Sequence, residues 1–83
     1  MYEELKDILV NDLQVRAEDV APTASREQVG LDSLAVLELA TLLSGRFGIA
    51  IHDYELLEAD TVADVVLLVE ERRARAGAAG GTS

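Results

Sequence analysis

Ser33, in the run Val29-Gly30-Leu31-Asp32-Ser33-Leu34, is the residue best placed to take part in chemistry. It is a hydroxyl preceded by a carboxylate and a glycine turn, at the predicted start of an apolar helix. Helix N-termini present unpaired N–H groups and a partial positive charge, so a phosphate is well received there. Asp32 alone is a poor general base, so Ser33 reads as an attachment point and not as a nucleophile in its own right. No catalytic residue is assigned elsewhere. The chain has no cysteine and one histidine, His52, which removes thiol nucleophiles, disulfides and thiolate metal sites. His52 is expected to act as a cap or surface residue, and Tyr2 and Tyr54 as packing or rim residues. No nucleophile–base pair, metal cluster or glycine-rich phosphate loop is visible, so no enzyme activity and no bound metal are expected.

The elements that would position Ser33 follow from periodicity. Leu5, Ile8, Leu9 and Leu13 share one face of a first helix, with Glu3, Glu4 and Asp7 in its opening turns. From Arg16 to Gly30 the pattern breaks into a long connection marked by Pro22, Thr23 and Ser25, pinned to the core by Val20 and Val29. A second helix is predicted over Ser33–Phe47, capped by Asp32 and stopped by Gly48. Val36, Leu39, Ala40, Leu43 and Phe47 form its core arc. Leu34, Leu37, Glu38 and Thr41 fall on the other side, leaving a second apolar face unburied. A short third helix opens at His52-Asp53, with Leu56 and Leu57 expected to point inward. Thr61 and Asp64 resemble a capping box, opening a fourth helix lined by Val62, Val65, Val66 and Val69. The fold expected is all-α, a four-helix bundle of three longer helices and one short one. The folded domain is placed at residues 1–76, followed by a disordered small-residue tail over 77–83.

Composition narrows the class. The chain has 83 residues, 49% of them hydrophobic, with a net charge of −9, which suits one folded domain and not a disordered chain. A sequence pI near 4.3 argues against nucleic acid or anionic membranes and for basic surfaces on protein partners. No apolar run reaches membrane-spanning length and the first residues do not read as a signal peptide, so a cytoplasmic monomer is expected.

The order of helix, long loop, Gly30-Leu31-Asp32-Ser33-Leu34, helix, Phe47-Gly48 with Ile49 and Ile51, short helix and Thr61-Val62 resembles the acyl carrier proteins over roughly residues 1–75. The resemblance implies that Ser33 carries 4′-phosphopantetheine, whose thiol holds acyl groups as thioesters. It implies loading by a phosphopantetheinyl transferase using coenzyme A and Mg²⁺, with Asp32 tied to that step or acting only as a cap. It further implies service by a ketosynthase, an acyltransferase or acyl ligase, and tailoring enzymes. Their contact surface would be Leu34 and Leu37, with Glu38 as recognition acid or simply a solvated charge, alongside Thr41, Glu55 and Glu58.

Some positions depart from the pattern of bacterial fatty-acid carriers. Ala35 stands where an acid is common, and Ser44-Gly45-Arg46 replaces a frequent run of glutamates. Between residues 32 and 60, Asp53, Glu55, Glu58 and Asp60 concentrate negative charge around the third helix. These features favour a discrete carrier of a polyketide or related specialised pathway over one of fatty-acid synthesis. A peptidyl carrier ranks lower, because Leu31-Asp32 stands where glycine and histidine are usual. The reading from another class is an acidic helical adaptor that is never modified.

Overall fold

The computed structural model describes the backbone of residues 1–82 and the side chains of residues 1–76, so the expectation of a tail over 77–83 lies outside the fully described residues. Four α-helices follow in order: α1 (Tyr2–Asp7), α2 (Ser33–Phe47), α3 (Asp53–Leu57) and α4 (Val62–Thr82). α1 continues directly into a π-helical turn over Ile8–Asp12, and a 3₁₀ turn covers Ala17–Asp19 in the long connection. No strand forms among the described residues; the nearest approach is an isolated bridge between Ser25 and Thr61.

Leu5, Ile8 and Leu9 are buried from the first helical segment, as their spacing predicts. Leu13 is only half-buried, and Val15 takes the inward place instead. The cause is the π-helical turn, in which the Leu13 N–H donates to the Ile8 carbonyl at 3.2 Å and so adds a residue to the turn. Gln14 then reverses the chain with φ 59°, a left-handed conformation that a non-glycine residue adopts at some cost.

The long connection is tied down by both apolar anchors and hydrogen bonds. Val20 and Val29 are buried, as are Ala24 and Leu31. Pro22 and Ala24 carbonyls accept the Ala63 and Val62 N–H groups, each at 2.9 Å, satisfying donors that the first turn of α4 would otherwise leave open. At the bridge residue Thr61, Thr61 and Asp64 form the expected reciprocal box: the Asp64 N–H donates to Thr61 Oγ1 at 3.3 Å and the Thr61 N–H to Asp64 Oδ2 at 3.2 Å. Val62, Val65 and Val69 pack inward from α4 and Val66 is half-buried.

α2 supplies the centre of the bundle. Val36, Leu39, Ala40 and Leu43 are buried and Phe47 is half-buried, with Arg73 of α4 stacked over the Phe47 ring. Gly48 ends the helix at φ 63°, where a side chain would be strained. α3 differs from expectation in one respect: Leu56 is buried, but Leu57 is 39% exposed. Adjacent residues on a helix lie about 100° apart, and a single turn packed on one side buries only one of them.

Candidate functional site

The site is built by two local devices that set the start of α2. In the first, the Ser25 N–H donates to Gln28 Oε1 at 2.8 Å and the Gln28 N–H donates back to Ser25 Oγ at 3.2 Å, closing a turn. Gly30, at φ 74°, completes that turn, and the Leu31 N–H returns to the Arg26 carbonyl at 2.9 Å. The chain then swings out at Asp32, which is extended (φ −84°, ψ −176°), before Ser33 enters the helix.

Asp32 is the cap predicted for it. Its Oδ1 accepts the Ala35 N–H at 2.9 Å, and its carbonyl accepts the Val36 N–H at 2.9 Å. The N–H groups of Ser33 and Leu34 find no acceptor among the described residues. Ser33 is exposed beside them. A hydroxyl, two open N–H groups and the positive end of a fifteen-residue helix therefore meet at one point on the surface.

The outward side of α2 is as expected in exposure. Leu34 is 64% and Leu37 50% exposed, large values for leucines on a helix that already fills the core. Glu38 and Thr41 are exposed with them, and Thr41 Oγ1 donates to the Leu37 carbonyl at 3.1 Å. Leu37, Glu38, Thr41 and Leu42 line a shallow groove with Asp12 at its edge.

The α3 residues divide. Glu58 is exposed, together with Tyr54, which stacks on the His52 ring at 5.2 Å between centroids. Glu55 is turned inward: one carboxylate oxygen accepts the His52 N–H at 3.1 Å and the other pairs with Arg72 of α4. The Arg72 guanidinium holds the Glu55 carboxyl below its ordinary pKa, against a smaller opposing effect of burial. Glu55 is thus a structural acid, not the open recognition carboxylate that the sequence led us to expect. His52, in turn, holds the N-cap position of α3 through its main chain, whose N–H donates to Glu55, while its ring stacks on Tyr54. Sequence reading gives Arg26 no role and Arg72 only that of complementing the dipole at the end of the fourth helix; their actual partners lie 17 to 33 residues away, and α4 runs on to Thr82.

Behind the α2 start lies an apolar crevice walled by Leu5, Leu9, Leu31, Leu39 and Val65, with Arg26 and Thr61 at its edge. Its free volume is about 10 Å³, enough for about one water molecule and far short of an acyl chain.

Residues 3–69 match the family model described as the phosphopantetheine attachment site. The chain belongs to the acyl carrier protein family. It is 40% identical over 75 residues to an acyl carrier protein of Phytoplasma australiense, covering 89% of this chain and 99% of that protein. Similar relatives are the acyl carrier proteins of Wolinella succinogenes (35% identity, 88% of this chain and 97% of the relative) and Campylobacter hominis (39%, 84% and 90%). The group that such a carrier bears is 4′-phosphopantetheine. The start of α2 fits it: an exposed hydroxyl can form the phosphodiester, and the open Ser33 and Leu34 N–H groups can meet its phosphate.

Proposed function

We propose that Ser33 is the attachment residue, and that the carrier shuttles acyl intermediates in a polyketide or related specialised pathway as a cytoplasmic monomer without catalytic activity of its own. The observation that carries the attachment is the junction at Ser33, where an exposed hydroxyl lies beside the Ser33 and Leu34 N–H groups, which have no acceptor among the described residues. When bound, the arm supplies a thiol on which acyl groups travel as thioesters. The chain's own contribution is to present the hydroxyl outward, offset phosphate charge with the α2 terminus, and offer partners a surface. Asp32 already spends one oxygen on the Ala35 N–H, which supports activation of the hydroxyl by a separate phosphopantetheinyl transferase.

Leu34, Leu37, Glu38, Thr41 and Glu58 form the surface we assign to the ketosynthase, acyltransferase or ligase, and tailoring partners. Exposed leucines edged by acid suit encounters that are steered by charge and released quickly. The pathway assignment is supported by Ala35 and by Ser44-Gly45-Arg46, which thin the acidic stripe of α2.

The attachment is tested by incubating the chain with coenzyme A, Mg²⁺ and a broad-specificity phosphopantetheinyl transferase. Intact mass should rise by one phosphopantetheine, and Ser33→Ala should abolish the gain. No gain in the unaltered chain would leave the adaptor reading in its place. For the pathway, the loaded carrier is offered in parallel to ketosynthases of polyketide and fatty-acid type. Faster extension by the fatty-acid enzyme would reverse that assignment.

A further inference from the structure

A helix of five residues, such as α3, does not sustain itself, because nucleation costs more than its few internal hydrogen bonds return. Leu56 is its one buried side chain, and its outer residues Tyr54, Leu57 and Glu58 are exposed. Something other than its own sequence must fix where it sits against α2.

Two arginines from outside α3 grip its two ends. At the C-terminal end, Arg26 of the long connection donates Nη2 to the Leu57 carbonyl at 3.1 Å and Nε to the Ala59 carbonyl at 3.2 Å. These are acceptors of the kind that a helix terminus leaves open, and the guanidinium fork meets both at once. At the N-terminal end, Arg72 of α4 donates Nη1 to the Ala50 carbonyl at 3.1 Å and Nη2 to the Glu55 carboxylate. Glu55 passes that restraint to the His52 N–H, the cap position of α3. The chain has seven Lys and Arg residues against sixteen acids, so committing two of them to internal carbonyls is a heavy use of scarce positive charge.

We propose that Arg26 and Arg72 are positioning residues, which clamp α3 at both ends and so set the α3 edge of the partner-docking surface. This rests on the carrier reading above. Without either clamp, α3 would sample other placements against α2. A partner would then have to select the competent one, which weakens apparent affinity in proportion to the population lost. Chemistry at the distant thiol would be untouched once docking had occurred.

The test uses the full chain with Arg26→Gln and Arg72→Gln, and with Arg26→Lys and Arg72→Lys, which keep the charge but lose the fork. Amide hydrogen exchange is followed by NMR with the arm absent, and acyl transfer is followed with the loaded protein. The Gln variants should exchange the amides of residues 54–59 about tenfold faster, while the α2 amides at 39–43 stay protected. Their KM toward a ketosynthase should rise about fivefold with kcat within about twofold, and the Lys variants should fall between. Unchanged exchange over 54–59, or a rise in exchange uniform across the molecule, would overturn the clamp. A fall in kcat with KM unchanged would overturn its docking role. If the Gln variants do not fold, the same criteria apply to the Lys pair. If the unaltered chain accepts no phosphopantetheine, the carrier reading fails while the exchange measurement still decides the clamp.

Discussion

α2 and α3 lie side by side and owe their existence to different physics. α2 is specified by its own residues: Asp32 caps it, Gly48 stops it, and a stripe from Val36 to Leu43 buries it. α3 has a capping contact at His52 and one buried leucine, and it is held by side chains from the long connection and α4. The lesson is that a docking surface can combine a rigid element with one whose position is imposed from outside. On the docking surface proposed above, a self-specified edge at Leu34 and Leu37 would adjoin an edge at Tyr54, Leu57 and Glu58 that is clamped from outside.

The largest loss of stability is expected in the core of α2. Leu39→Ala or Leu43→Ala removes a fully buried side chain and should cost about 2–5 kcal/mol, a large part of the stability of a domain this size. Denaturant melts should show it as a drop in midpoint shared by all probes. Gly45→Ala works in the opposite direction. A Cβ there meets open space and the residue lies inside α2, so the variant should gain about 1 kcal/mol and melt about 4–8 °C higher. An unchanged melting temperature would mean that α2 is less self-determined than its pattern indicates.

A pH series sharpens the α3 side. The Glu55 carboxyl is lowered in the folded protein, chiefly by its bond to Arg72, so the pair adds stability that is fully present above the ordinary glutamate value of about 4.3. That contribution is lost as pH falls through the lowered value. Glu55→Gln should therefore be less stable than the unaltered protein at neutral pH, and the gap should close in acid. A gap independent of pH would assign the loss to packing and not to charge. The smallest effect on stability is expected on the exposed edge, where Leu34→Ala should shift the unfolding free energy by less than about 0.5 kcal/mol.

These differences also explain what could be read in advance. The span of α2, the Asp32 cap, the Gly48 stop and the Thr61–Asp64 box are local arrangements with local signatures, and each stands where periodicity placed it. The start of the candidate site was legible for the same reason. The inward turn of Glu55 was not, because the acid is indistinguishable in sequence from Glu58 until Arg72 arrives from α4. Leu57 misled in a similar way, since five residues hold too little periodicity to tell which of two adjacent leucines faces inward. The π-helical turn at Ile8–Asp12 has no signature in residue type, and it moved Leu13 off the core.

Three of the four arginine contacts around α3 end on main-chain carbonyls, those of Ala50, Leu57 and Ala59. A carbonyl is present whatever side chain its residue bears. Substitutions at Tyr54, Leu57 and Glu58 therefore leave these three acceptors in place, and the grip that seats α3 does not depend on the side chains it displays. The fold keeps its address constant while the message displayed there is free to change.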